Sequence, residues 1–403
     1  MNVEELVRAA LREQADEQPP PGAGLADRVL TVRRRRRNRR IASVAGAAAA
    51  VITVAVGVPR LTSGGHDVRP SGVVDSHTVS AHPKQSPPTE LVAAGRTALA
   101  AYYTSKSVFS NAHDGVSTRT YWLLDPKSGR YEKTTRWSWV AVAPGLHTAA
   151  VLEQHLPVRR IGLLDLASGK IKRWIPVDHP VGGLAFSPDG TKIVATTYGD
   201  NPDRFYQEDK SGNAFREVPC SRTGFYVLDA ASGKGSWAAV DTTSDDPDAE
   251  PVNTRQDFAF SQSGGSIMTA TSTAPWIGFY DVHGRPVEAP ASEAHRSWYV
   301  LAGLSPDGTK LAGDFAGKKW HTSSWLLDPV TGKPKTEIHG QQLLAWASDK
   351  SLIAWDLTKG EKNEFHQRLV LVTIGSDKEV PLSGFRKGND GAAGRWQPIF
   401  ADR

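Results

Sequence analysis

Two kinds of apolar run alternate along the chain from residue 98 onward. One is short and strand-like, at 98–103, 148–152, 192–196, 266–270, 310–314 and 351–355. Each is followed by a second apolar run that ends in a turn: YWLLDPKSGR (121–130), IGLLDLASGK (161–170), FYVLDAASGK (225–234), IGFYDVHGRP (277–286), SWLLDPVTGK (324–333) and LVLVTIGSDK (369–378). Apolar runs of this length, bounded by Gly, Asp and Ser clusters, predict strands and hairpins. Units of roughly 40–50 residues built from short strands predict a β-propeller, whose blades are four-stranded antiparallel sheets with strands a to d from the axis outward.

The paired runs supply strands b and c, and strand a is expected before each b. Five copies are present: SWVAVAPGLH (138–147), GGLAFSPDGT (182–191), DFAFSQSGGS (257–266), LAGLSPDGTK (301–310) and QLLAWASDKS (342–351). In the Pro-Asp-Gly copies, Pro sets φ for the turn and Gly takes the positive φ that closes it. No strand a precedes residue 98, but residues 396–401, WQPIFA, provide one at the end of the chain. The pattern therefore predicts six blades closed by a C-terminal strand, with seven as the alternative count. Such closure removes the exposed sheet edges that invite aggregation.

Charge separates the chain into two parts. Residues 1–58 carry ten Arg against six acidic residues, leaving 38 basic and 37 acidic residues beyond them. The formal net charge of +5 is thus a local cluster, and nucleic acid is not expected as a partner of the large domain. Cys220 is the sole cysteine, which excludes an intramolecular disulfide and a cysteine-based zinc site.

The cluster is Arg33, Arg34, Arg35, Arg36, Arg37, Arg39 and Arg40, directly before the uncharged run 41–58, IASVAGAAAAVITVAVGV. At about 1.5 Å per residue that run reaches roughly 27 Å, enough for a bilayer core. The positive-inside rule then places the N-terminus in the cytoplasm and the remainder outside. A cleaved signal peptide fits less well, because 40 residues precede the run and no clear Ala-x-Ala site follows. Arg39-Arg40 also suit a twin-arginine signal, though the rest of that motif is missing. Val3, Leu6, Val7, Ala10 and Leu11 make one apolar stripe on a short helix with Asn2 as N-cap, ended by Pro19-Pro20-Pro21. The expected organisation is a cytoplasmic segment (1–40), a membrane helix (41–58), a disordered tether (59–90) and an extracytoplasmic propeller (91–403).

FSPDGTKI (186–193), LSPDGTKL (304–311) and the LLD-x-x-S/T-G-K/R turns resemble those of TolB-like and WD40-like propellers. The order of acidic amphipathic N-terminus, poly-Arg run, Ala/Val-rich anchor and propeller is similar to that of membrane-anchored WD40-like proteins of actinobacteria. The resemblance covers most of the chain and implies the fold; its motifs name no function. It departs from true WD40 repeats in lacking their regular Gly-His and Trp-Asp spacing. The one Trp-Asp pair, Trp355-Asp356, falls on a strand b and reads as coincidence.

Catalytic motifs are sparse. There is no His-Glu-x-x-His and no Gly-x-Ser-x-Gly elbow. The Ser-Gly-Lys and Thr-Gly-Lys triplets at 168–170, 232–234 and 331–333 echo a phosphate loop, but they lack its first Gly and read as hairpin turns. The acidic stretch 241–250 lacks the spacing of a calcium loop. Twelve His residues are scattered without a metal constellation, so no catalytic residue, metal or cofactor is expected. Trp137, Trp174 and Trp237 fit packing between blades. One irregularity remains: an insertion at 199–222 between strands b and c, whose Arg204, Phe205, Tyr206, Phe215 and Arg216 form a candidate recognition loop.

The resulting expectation is a single-pass, membrane-anchored propeller that recognises a protein or small ligand without catalysis. Two rival readings stand beside it. In one, residues 2–32 bind a cytoplasmic regulator such as a sigma factor, a layout that resembles anti-sigma proteins without the His/Cys zinc motif many of them carry. In the other, the propeller channel houses an envelope enzyme, which would need acidic and His side chains converging on the axis.

Overall fold

The computed structural model describes residues 78–207, 215–216, 220–240, 255–271, 276–389, 392 and 394–403, without the side chains of 207, 215 and 216. The expected cytoplasmic helix, arginine flank, membrane helix and most of the tether lie outside the described residues, as does the acidic stretch 241–250. Among the described residues every regular element is a strand, and no helix is long and apolar enough to cross a membrane.

The strands run β1 (Ala93–Ala94), β2 (Thr97–Phe109), β3 (Asp114–Asp125), β4 (Arg130–Thr134), β5 (Trp137–Val142), β6 (Thr148–Glu153), β7 (Val158–Asp165) and β8 (Lys170–Phe186). They continue as β9 (Lys192–Tyr198), β10 (Arg204–Gln207), β11 (Phe215–Arg216), β12 (Arg222–Asp229), β13 (Gly235–Ala239), β14 (Ala259–Phe260), β15 (Ile267–Ala270), β16 (Ile277–Tyr280) and β17 (Pro286–Val287). The last are β18 (Leu311–Phe315), β19 (Ser323–Leu327), β20 (Pro334–His339), β21 (Gln342–Ser348), β22 (Ser351–Asp356), β23 (Arg368–Thr373), β24 (Glu379–Pro381) and β25 (Trp396–Asp402).

Each expected b–c pair forms an antiparallel ladder: β2–β3, β6–β7, β9–β12, β15–β16, β18–β19 and β22–β23. The turn that follows is built by its sequence. In IGLLDLASGK, Asp165 accepts the Ser168 N–H through its carboxylate (2.8 Å) and the Gly169 N–H through its carbonyl (2.9 Å). Gly169 sits at φ 63°, where a side chain would be strained. Asp229 and Asp328 hold their turns in the same way. The Ser/Thr-Gly-Lys triplets are hairpin turns.

The blade count needs correction. Hydrogen bonding joins the strands into five sheets, two of seven strands, two of four and one of three, rather than six or seven separate blades. The cause is β8, a continuous 17-residue strand whose first half pairs with β7 and whose second half pairs with β9. What the sequence suggests are two strands, an outer and an inner one, run on without a break.

The terminal clasp does form. β25 pairs antiparallel with β2 from Thr97↔Asp402 to Thr104↔Trp396, so the last strand completes the sheet begun by the first. Apolar clusters then join neighbouring sheets. Leu99, Tyr102 and Phe400 pack with Leu344, Ile353 and Trp355, and Val194 and Phe225 pack with Phe258 and Phe279. Successive antiparallel sheets, packed face to face and closed by the terminal strand, make this an all-β propeller.

One seam differs. Between the β14–β17 sheet and the β18–β20 sheet, buried Glu293 accepts the N–H groups of Gln262 (3.2 Å) and Ser263 (3.3 Å) and pairs with Arg296 (3.4 Å). Gln262 Nε2 donates in turn to the Leu304 carbonyl (2.9 Å).

The tether does not run free to residue 90. Ser80 bridges Ala93, His82 bridges Ser383, and Trp396 Nε1 donates to Ser86 Oγ (3.0 Å). Ser, His and Pro content suggested disorder, but here it supplies backbone and hydroxyl partners to the clasp sheet.

Candidate functional site

The insertion is a docked hairpin rather than a free loop. β2 and β3 are unusually long, and their far ends leave the body of the sheet, pairing out to Phe109↔Gly115. β10 adds to this arm, with Arg204 opposite Val116, Phe205 opposite Gly115 and Tyr206 opposite Asp114. β11 pairs with β10, bringing Phe215 opposite Gln207 and Arg216 opposite Tyr206. Sequence-distant segments thus share one projecting sheet.

Side chains fix the arrangement. Arg204 grips Asp114 with two hydrogen bonds (2.8 and 2.9 Å) and reaches Asp200 at 3.2 Å. The hydrogen bonds from Arg204 hold the Asp114 carboxyl below its ordinary range. Phe205 meets Phe109 edge-on (5.3 Å), and Tyr206 stacks on His113 (5.5 Å). Gly115 makes room, since a Cβ there would lie 2.5 Å from the Phe205 ring. Val108 and Phe109 are about half exposed at the tip, so the arm presents apolar and aromatic surface to solvent.

At its base the arm is locked by a buried ionic network. Asp203 accepts from both terminal nitrogens of Arg119 on β3 (2.6 and 2.7 Å) and from Arg255 (2.7 Å). Arg255 also pairs with Asp257 (2.7 Å), whose other oxygen accepts the Tyr198 hydroxyl (3.1 Å). The Arg255 guanidinium lies 3.8 Å from the centroid of the Trp139 ring. Gly183 leaves space for Asp257, whose carboxylate would lie 1.8 Å from a Cβ there.

Two guanidinium groups and two carboxylates balance one another, and all four side chains are at most 6% exposed. Burial pushes the Asp203 carboxyl up, but the charges of Arg119 and Arg255 outweigh it and hold it below its usual value. Asp257 is raised by burial, against the pull of Arg255, with added repulsion from Asp203. Each acid is occupied by cations or a phenol, so the network positions the arm and presents no free general base.

Of the predicted recognition residues, Arg204, Phe205 and Tyr206 are brought together on the arm. Phe215 and Arg216 are placed only by their backbone pairing. Sequence reasoning missed Asp203, Arg119, Arg255 and Asp257, which lie in three separate segments, and also His339, Asp356 and Glu379. The last three meet where β20 of one sheet faces β22 and β24 of the next. Burial first, then hydrogen bonding to and repulsion from Asp356, push the Glu379 carboxyl up to about 8.

No family model matches the sequence, and no curated protein matches it. Similar solved structures include the hydrazine synthase of Kuenenia stuttgartiensis, at 12% identity over 64% of this chain and 70% of that one, with a TM-score of 0.34. The Cps50 (Swd1) β-propeller domain of Myceliophteria thermophila is similar at 12% identity, covering 72% of this chain and 90% of that one, with a TM-score of 0.35. TolB of Acinetobacter baumannii is similar at 14% identity over 70% and 66% of the two chains, with a TM-score of 0.34. The propeller assignment rests on the strand ladders and the terminal clasp of this chain.

Proposed function

We propose that this protein is a recognition module without catalytic activity: a propeller held outside the cell membrane by residues 41–58, presenting the β2–β3–β10–β11 arm to a protein or small ligand. The observation that carries the reading is the arm itself. It projects from the sheet, exposes Val108 and Phe109, and is anchored by a buried ionic network spanning several sheets. A rigidly held aromatic edge is a binding surface that loses little conformational entropy on association. The neutral charge balance beyond residue 58 favours a partner that is neither nucleic acid nor strongly charged.

Crosslinking of the full chain in its native membrane, beside a chain lacking residues 2–32 and one carrying Phe109→Ser with Tyr206→Ser, tests this. An envelope partner retained after truncation and lost with the arm substitutions is the expected result. A cytoplasmic partner lost on truncation would instead make the protein a transmembrane regulator.

A further inference from the structure

The seam between the β18–β20 sheet and the β21–β24 sheet holds a group of side chains that the arm does not use. His339 ends β20, Asp356 ends β22 and Glu379 begins β24. One ligand atom from each lies within 4.8 Å of the other two, and His339 Nδ1 is 3.0 Å from Glu379 Oε1. Asp356 is only 1% exposed. Its Oδ1 is buried and meets no hydrogen-bond donor, and the Nε2 of His339 is likewise buried without a partner. A carboxylate taken out of water without a donor or a cation is strongly unfavourable, so such an atom calls for an occupant. Trp320 packs over the His339 ring at 4.0 Å and limits its rotation, as a fixed ligand requires.

We propose that His339, Asp356 and Glu379 bind one divalent transition-metal ion of the zinc class, clamping β20 to the neighbouring sheet. The donor set selects the metal. An imidazole nitrogen disfavours Mg²⁺ and Ca²⁺, which take oxygen ligands, and the absence of thiolate disfavours Cu⁺. Two carboxylates neutralise the charge of a divalent ion. Three protein ligands leave further positions for water, and the partial exposure of the His339 (13%) and Glu379 (20%) side chains provides a route of entry. A proton shared between Glu379 and Asp356 is the rival occupant of the same space.

The test is equilibrium dialysis of chelator-treated full-length protein against Zn²⁺, with Mg²⁺ in parallel and bound metal quantified. The expected result is one equivalent of Zn²⁺ per chain, no competition by Mg²⁺, and a melting temperature raised by Zn²⁺. Asp356→Asn and Glu379→Gln should each weaken binding by at least ~10-fold and abolish the thermal shift. His366→Gln, at the separate His366–Glu361 pair (2.8 Å), should leave both unchanged. Should Asp356→Asn fail to fold, the more exposed Glu379→Gln carries the test. No Zn²⁺ binding, or equal stoichiometry and affinity in wild type and Glu379→Gln, would overturn the proposal in favour of the shared proton or of adventitious surface histidines.

Discussion

Asp203 and Arg204 are adjacent residues that lie in opposite physical regimes. Asp203 is buried between two guanidinium groups, so Asp203→Asn leaves Arg119 and Arg255 under-neutralised in a low-dielectric interior. The expected loss is about 3–5 kcal/mol of unfolding free energy, read from urea denaturation. Arg204 pairs with Asp114 at the surface, its own side chain 41% exposed, and Arg204→Ala should cost no more than about 1 kcal/mol by the same measurement. Neither role is visible in sequence, where both residues sit in one polar stretch of the insertion. Asp203 reaches its partners across 84 and 52 residues, and no local periodicity encodes such pairings. Asp356 is hidden as well: in sequence the Trp355-Asp356 pair reads as coincidence, whereas its burial and unpartnered Oδ1 set it apart.

At the scale of elements, local grammar was legible and the continuity between elements was not. The Asp-x-x-Ser/Thr-Gly turns and the b–c ladders follow from apolar runs ended by turn residues, because those interactions close within a few positions. The clasp was legible for another reason: a unit without its inner strand at one end, and a spare strand at the other, complement each other. The division into sheets was not legible, because Pro176 and Pro180 argue for a break within residues 170–186 that the structure does not make. The clasp has its own pH signature. Burial pushes the Asp402 carboxyl up to about 6, although Arg96 at 2.7 Å pulls it down. Since the folded value exceeds the unfolded one, the folded state takes up this proton first. This group's contribution therefore favours folding at acid pH and is lost as pH rises from about 4 through about 6, by at most about 3 kcal/mol. Denaturation at pH 4.5 and 7 should show that difference shrinking in Asp402→Asn.

Across the whole molecule, the ring is closed by apolar packing at most seams and by a polar network at the Gln262–Glu293–Arg296–Leu304 seam. Polar seams depend on every partner being present, so Glu293→Ala should release the N–H groups of Gln262 and Ser263 and cost about 1–3 kcal/mol. Hydrogen exchange should rise first in 259–271 and 300–312 in that variant, while β2 and β25 remain protected. Uniform acceleration around the ring would mean that this seam is no weaker than the others. The near-neutral body and the charged N-terminal cluster were both legible from charge counting, whereas the arm was not, because it is assembled from the first repeat and an insertion in the third.

The measurement that bears most directly on the proposed role is site-specific photo-crosslinking in native membranes, with a photoreactive residue at position 109 on the arm or at position 330, an exposed turn elsewhere. A recognition arm predicts a discrete adduct from position 109 and none from position 330. Equal adducts from both positions, or none from position 109 in membranes where the protein is fully folded, would contradict it.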